Sequence, residues 1–467
     1  MREARLAKPW PREGGQEGGS VKTMTEQGTA SVVPARAKQG ADTGGTPVNG
    51  PKVEATVWTE RMVSALVNGV KGGRWFSLID KVWAPATLAA AWAKVGANGG
   101  AAGVDGLSIE RFAARSEEYL AELSQALREG SYQPRAVRRV EIPKDDGRTR
   151  PLGIPAVKDR IVQTAVKFVI EPIFEHRFVE DSYGFRPGRG CHDALREVGR
   201  LINEGFTYVV DADVAGYFDN IPHERLMQRV EEQISDGRLL QLLRGWLGAD
   251  ILHGLERWTP TTGTPQGAVI SPLLANIYLH PLDELMASLG HRMVRYADDF
   301  VVLCQSREEA DKALATIARW VEDNGLRLHP DKTHVGDCRQ AGEGFDFLGY
   351  RFEAGLRLVR KKSLKKMRDK IRVRTGRSRG DSLETIVSDL NPVLRGWFGY
   401  FKHAHHTTFA GMDGFVRRRL RAILRKQAKR PGFGHTRDDH KLWPNAFFAD
   451  AGLFALNAAW RSARHSR

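Results

Sequence analysis

The chain has only three cysteines in 467 residues, Cys191, Cys304 and Cys338, and none stands at C-x-x-C spacing. So few, so scattered, they argue against a disulfide framework and against a structural zinc module, and they fit a reducing cytosol. No apolar run approaches the ~20 residues that a membrane helix needs. The N-terminus lacks the apolar core of a signal peptide, so none is expected. Acids are in deficit: 71 Lys and Arg face 56 Asp and Glu, for a net charge of +15. That excess points to a polyanion, and without a membrane segment nucleic acid is the favoured one.

The length is enough for two or three domains with a large core. Residues 1 to about 55 are rich in Gly, Pro, Ala, Thr and Gln and poor in aromatics. Such a segment buries too little apolar surface to offset its ordering entropy and is expected to be disordered, with Met24 a second candidate start. From 75 to 135 the pattern is helical, broken by the glycine-rich loop Gly99–Gly106. Short strands with basic turns follow over 136–155, then a helix from about Asp159 with Ile161, Ala165, Val169 and Ile173 on one face. Phe206–Asp213 reads as a buried strand. Ser271-Pro272 is expected to cap and open a helix, and Ser306 with Glu309 to form a capping box for a helix over 307–323, closed by Asn324-Gly325. Strands are expected again at 326–329 and 345–352, and none after 356. This order predicts an α+β fold with an antiparallel sheet.

Residues 357–379 hold twelve Lys or Arg and one acid, Asp369. Like charges at i,i+4 repel, so a ratio that lopsided favours phosphate contact over a salt-bridged helix face. A second basic block runs from Arg417 to Lys426. Between the blocks lie Trp397, Phe398, Tyr400 and Phe401, which suit stacking on RNA bases and a small helical core about equally. His403, His405 and His406 form a cluster with no Cys or carboxylate at ligand spacing, and read as surface or RNA-facing.

The chemistry concentrates in two segments. In Arg295-Tyr296-Ala297-Asp298-Asp299-Phe300-Val301-Val302-Leu303, two aspartates sit between β-branched and aromatic runs, the pattern of a β-hairpin with carboxylates at its tip. In Tyr208-Val209-Val210-Asp211-Ala212-Asp213, an apolar strand ends in an acid. Taken singly, each reads as well as a solvated turn. Side by side on adjacent strands, three carboxylates can hold two divalent cations, an arrangement suited to phosphoryl or nucleotidyl transfer. The loop Gly263-Thr264-Pro265-Gln266-Gly267 lies between them in sequence.

Over about residues 75 to 460 the chain resembles group II intron reverse transcriptase/maturases. Nine short blocks stand in that family's order: Ala102–Gly106, Ile142-Pro143-Lys144, Arg150–Pro155, Tyr183–Pro187, Asp213–Asp219, Thr264–Gly267, Tyr296–Asp299, Lys332-Thr333 and Phe347–Tyr350. The resemblance implies a right-hand polymerase: an N-terminal fingers extension over 56–135, fingers and an antiparallel-sheet palm over 136–355, an α-helical thumb/maturase region over 356–435, and a short tail over 436–467 that contacts DNA or RNA. It implies that Asp213, Asp298 and Asp299 bind two Mg²⁺ ions with help from the Val214 carbonyl. Asp211 and Asp219 compete with Asp213; its spacing to Tyr217-Phe218-Asp219 favours Asp213, and Asp219 is expected to order the next turn.

By the same resemblance Lys144 and Arg150 would clamp the triphosphate and Gln266 would contact the nucleotide or templating pair. Phe218 would block a 2′-OH, a buried core position being its plainer alternative. Lys332 would support the triphosphate or simply cap its strand. Lys361, Lys362, Lys365, Lys366, Arg368, Arg417, Arg418 and Arg419 would grip intron RNA. The implied partners are that RNA, an RNA template, a DNA primer or target, and dNTPs, in a bacterial cytoplasm and on the nucleoid when engaged with DNA. Monomer and dimer both stay open. Many members carry a C-terminal HNH endonuclease with paired cysteines; this chain lacks that length and those cysteines, so priming from a replication fork or other single-stranded DNA is expected. Two other readings are a domesticated reverse transcriptase in a defence or diversity-generating system, disfavoured by the maturase-like region, and a non-enzymatic splicing factor, disfavoured by the intact acids.

Overall fold

The computed structural model describes residues 53–143, 147 and 149–465. The expected disordered segment lies almost wholly outside them, as does Lys144. The first strands form a hairpin, β1 (Val137–Pro143) with β2 (Thr149–Ile154), in the register Arg138↔Ile154 to Pro143↔Thr149. β1 also pairs with β4 (Ile251–His253), which turns back into β5 (Glu256–Trp258). The β1–β4 pairing is parallel, so this sheet is mixed rather than purely antiparallel.

The helix Val157–Glu175 has the expected apolar face but burial extends well beyond it, to Asp159, Arg160, Gln163 and Thr164, with Lys158, Lys167, Phe168, Glu171 and Glu175 half-buried. The polar groups survive burial because they are paired. Asp159 accepts from the Tyr132 hydroxyl at 2.5 Å and from the Arg135 backbone N–H at 3.1 Å. Arg160 donates to the Pro155 carbonyl at 3.0 Å.

The central sheet is antiparallel with strand order β6-β7-β3-β8: β3 (Tyr208–Asp213), β6 (Arg292–Tyr296), β7 (Asp299–Cys304) and β8 (His334–Asp337). It divides two cores, and strand alternation assigns its residues between them. Val210, Ala212, Phe300, Val302 and Cys304 join the core that contains the helices Ser271–Ser288 and Arg307–Asp323. Val209, Val301 and Leu303 join the other, with the small sheet β9 (Phe345–Phe347), β10 (Tyr350–Glu353) and β11 (Leu356–Val359) and the C-terminal helices. By the same alternation Asp211, Asp213 and Asp299 belong to this second face.

Four local expectations are corrected. The N-cap of Ser271–Ser288 is Ile270; the Ser271 hydroxyl donates instead to the Pro265 carbonyl at 3.0 Å. Leu326–His329 is not a strand: Leu328 makes one bridge, to Val214. Strands continue past 356, because β11 closes the small sheet against β10. The capping box at Ser306 is half formed. Ser306 accepts from Glu309 N–H, but the Glu309 carboxylate reaches Gln305 N–H instead of Ser306.

The long C-terminal helices are Lys361–Arg374, Leu383–Phe401 and His406–Gln427, followed by the shorter Arg437–Leu442, Asn445–Asp450 and Leu456–His465. They settle the use of the interleaved aromatics. Trp397 packs on Phe401 and Phe409, Phe398 packs on Phe409 and Phe454, and the Tyr400 hydroxyl donates to the Leu348 carbonyl at 2.8 Å. These rings form a core, not a stacking platform. Among the described residues no helix is long and apolar enough to cross a membrane.

Candidate active site

The hairpin between β6 and β7 turns through Ala297-Asp298, with Tyr296 opposite Asp299 and Ala297 in the left-handed region at φ +62°. Asp213, the last residue of β3, is directly opposite Asp299. Strand register therefore brings the three sequence-predicted carboxylates to one sheet edge.

A buried network holds this unusual turn. The Arg295 side chain is fully buried; it donates to Asp283 Oδ1 at 2.7 Å, Asn276 Oδ1 at 2.9 Å and the Ala297 carbonyl at 2.9 Å. Burial alone would lower the guanidinium pKa, but the Asp283 carboxylate outweighs it and raises the pKa. Asn276 also donates to the Gly184 carbonyl at 2.8 Å, and Tyr183 N–H donates to the Arg295 carbonyl at 2.8 Å. Gly184 lies so close that a Cβ there would sit 2.2 Å from the Ala297 nitrogen, so the segment Tyr183–Arg186 can brace the tip only with glycine. Sequence reasoning missed Arg295, Asn276 and Asp283. The available signal was an arginine at an inward strand position beside the acidic pair.

The electrostatics fit a cation-binding role. Burial, then the Asp213 charge, raise the Asp298 carboxyl pKa. Asp299 is solvent-accessible on one side yet crowded by protein, and burial with the Asp298 charge pushes its pKa up to about 6. Asp211 rises to about 7 through burial and the charges of Asp299, Asp346 and Asp213. All-oxygen donors whose mutual repulsion a divalent cation would relieve suit a hard ion such as Mg²⁺. The trio does not form a group whose oxygens all lie within 4.8 Å of one another. Asp213 is instead ion-paired with Lys332, which follows it in space across 119 residues of sequence.

Around the acids, Arg150 on β2 donates through Nε to Gln266 Oε1 at 2.8 Å. The Gln266 amide nitrogen donates to both Asp219 oxygens, at 3.2 and 3.3 Å. Asp219 was expected only to order its turn; its carboxylate fixes the orientation of Gln266. The loop is pinned further by Gly153 N–H to the Gln266 carbonyl at 2.7 Å and Thr264 N–H to the Phe218 carbonyl at 2.7 Å. Gly267, at φ +112°, passes so near Gly153 that a Cβ would meet its carbonyl oxygen at 2.5 Å. Phe218 is half-buried, its ring edge-on to the exposed Phe185 at 6.4 Å. Lys144 lies outside the described residues.

The basic candidates divide. Lys361, Lys362, Lys365, Lys366 and Arg368 are exposed on Lys361–Arg374, whose Met367 and Ile371 face inward. Arg417, Arg418 and Arg419 are half-buried. Arg419 donates to the Thr375 hydroxyl at 3.0 Å and to the Thr375 carbonyl, closing the end of that helix. These bonds tie Arg419 to the fold. Arg418 lies over the Phe415 ring at 5.4 Å.

Comparison with known proteins agrees with this geometry. A family model described as reverse transcriptase (RNA-dependent DNA polymerase) matches residues 142–352, and one described as the group II intron maturase-specific domain matches 364–443. Protein YkfC of Escherichia coli (strain K12) is 38% identical over 301 residues, 56% of this chain and 76% of YkfC. The chain belongs to the group II intron reverse transcriptase/maturase family. The group II intron-encoded protein LtrA of Lactococcus lactis subsp. cremoris is 41% identical over 181 residues, 38% of this chain but only 30% of LtrA. A 91 kDa protein in the cob intron of Schizosaccharomyces pombe is 38% identical over 186 residues, 40% of this chain and 22% of that protein. As a family member the chain is a right-hand polymerase, an RNA-directed DNA polymerase module followed by a maturase module. Asp213, Asp298, Asp299, Arg150, Gln266, Phe218 and Lys332 all fall inside the first matched region.

Proposed function

We propose that the chain binds its own group II intron RNA, assists its splicing, and copies RNA into DNA from dNTPs at the Asp213–Asp298–Asp299 edge during intron mobility. The reading assigns β1, β2, β4 and β5 to the fingers, with residues 56–135 as their extension, and the β6-β7-β3-β8 sheet to the palm. The helices from Lys361 form the thumb and maturase region. It places the protein in a bacterial cytoplasm, on nucleoid DNA when copying.

The observation that carries the proposal is the register Asp213↔Asp299 with Asp298 in the adjoining turn. Two Mg²⁺ ions, if bound there, would supply the Lewis acidity that phosphoryl transfer to a primer 3′-OH requires. The three carboxylates would hold them, with the Val214 carbonyl. The buried Arg295 network keeps Asp298 and Asp299 in place, so their positions are set before substrate arrives. Arg150 and Lys144 would clamp the triphosphate from the fingers. Gln266, aimed by Asp219, would contact the nascent pair. Phe218, half-buried with an open edge, would lie under the sugar and disfavour a 2′-OH. The match to the maturase-specific model supports the splicing role over a defence or diversity-generating one.

The test is primer extension on an RNA template. Asp298→Ala is expected to lose activity by roughly a thousandfold, about 4 kcal/mol of transition-state stabilisation. Persistent Mg²⁺-dependent extension by that variant refutes the site.

A further inference from the structure

The palm sheet has a second group of metal-ligating side chains, on its other face and at its other end. His291 immediately precedes β6, Cys304 ends β7, and Glu309 is in the first turn of the helix Arg307–Asp323. Ligand atoms of these three all lie within 4.8 Å of one another, and they are the group of this kind found among the described residues. The register explains the meeting. Arg292 pairs with Leu303, so one step further His291 falls opposite Cys304. Cys304 shares its face with Phe300 and Val302, against which the helix packs, and the helix delivers Glu309.

We propose that His291, Cys304 and Glu309 form a binding site for a thiophilic transition ion of the zinc type. Three features support it. The His291 Nδ1 atom is buried without a hydrogen-bond partner in the protein. It stands 3.9 Å from Glu309 Oε1, too long for a hydrogen bond. Two ligands of one tetrahedral ion with bonds of ~2.0–2.3 Å are separated by about 3.4–3.8 Å, so a contraction of at most about 1 Å from the 4.8 Å envelope of the three ligand atoms completes the site. The carboxylate is already oriented, because Oε2 accepts from Gln305 N–H at 2.8 Å and leaves Oε1 turned to the histidine. Such an anchor is the usual support of a metal ligand.

The side chains of His291 and Glu309 are 12% and 32% exposed, which gives an entry path and room for a water as fourth ligand. Binding replaces the Cys304 thiol proton, released to solvent, by a metal–sulfur bond. Imidazole with thiolate selects zinc over magnesium, so this site does not compete for the polymerase ions. Cys304 is five residues along β7 from Asp299, about 17 Å. At that distance the ion would staple β6, β7 and the helix, not take part in chemistry.

The test uses the full chain, reduced, stripped with EDTA and desalted. Cobalt(II) is added with Mg²⁺ in excess. A thiolate-to-cobalt charge-transfer band saturating at one equivalent and bleached by zinc is expected. Cys304→Ser should abolish the band, while Cys338→Ser should keep it. Glu309→Gln, which preserves the Gln305 contact, should weaken cobalt binding ten- to a hundredfold. No band in the wild-type protein, an undiminished band in Cys304→Ser, or unchanged affinity in Glu309→Gln overturns the proposal.

Discussion

The Lys332 ammonium is seated on the Asp213 carboxylate, joining the end of β3 to the turn before β8. One cation thus already neutralises the acid that the site needs for its metal. A divalent ion held by that carboxylate would displace the ammonium, which would then be free to meet the triphosphate of an incoming nucleotide. Lys332→Ala is therefore expected to weaken dNTP use by tenfold or more, the scale of one hydrogen bond to a charged group. The Mg²⁺ concentration for half-maximal rate should fall, because a competitor is removed. Steady-state primer extension at varied dNTP and Mg²⁺ measures both; an unchanged KM for dNTP would reduce Lys332 to a strand cap.

Asp211 and Asp213 share a face of β3, but only Asp213 is opposite Asp299. Asp211 faces Val301 and sits 3.9 Å from His334 Nε2. Asp213→Asn should abolish extension, while Asp211→Asn should keep it within about tenfold. The pH dependence separates them further. The Asp211 carboxyl pKa is raised from the ordinary 3.8 to about 7 in the fold, so the folded state holds a proton that the unfolded chain gives up. The neutral acid favours folding below pH ~4, and that contribution is lost as pH rises to ~7. Asn stays neutral, so in EDTA Asp211→Asn should melt above the wild type at pH 8, with the gain shrinking as pH falls from 7 towards 4. A gap independent of pH would show that Asp211 ionises normally.

The chain of contacts Arg150–Gln266–Asp219 predicts a role for an acid that touches no substrate. Asp219→Ala frees the Gln266 amide to rotate and removes the order it gives to Arg150. A rise in the KM for dNTP of several-fold, with a smaller change in kcat, is expected from loss of positioning. Asp219→Asn, which can still accept from the amide, should restore most of it. Equal losses in the two variants would mean that the carboxylate charge, not its orientation of Gln266, matters.

Much of this site was legible because its signals are local. The alternation from Arg295 to Leu303 and from Tyr208 to Asp213 announced two strands, and their ends announced the acids. What was not legible is paired across long stretches of sequence or sealed in the core. Arg295 meets Asn276 only because Ser271–Ser288 packs beneath the hairpin. Gln266 meets Asp219 across 47 residues. Ser271 looked like a cap because Ser-Pro usually is one; a neighbouring carbonyl, Pro265, took its hydroxyl. The aromatics of Leu383–Phe401 carry no mark of which surface they meet, and only packing decided for the core. The Arg417–Arg419 run looked uniform, yet helix packing turned one of its members inward.

That last difference gives a test of where RNA is held. Lys361, Lys362, Lys365 and Lys366 stand exposed within two turns of one helix, whereas Arg419 is bonded to Thr375. Each phosphate contact contributes ~0.7–0.9 to the log-salt slope of binding. Changing the four lysines to Gln should flatten the slope for intron RNA by up to roughly 3 and leave the melting temperature nearly unchanged. Arg419→Ala should do the reverse. It removes hydrogen bonds worth about 1 kcal/mol at the end of Lys361–Arg374, lowers the melting temperature, and leaves the slope alone. Filter binding across a salt series, paired with thermal melts, measures both. If Arg419→Ala flattens the slope and the lysine variant does not, the RNA grip lies on His406–Gln427 and the exposed lysines are only a solvated face.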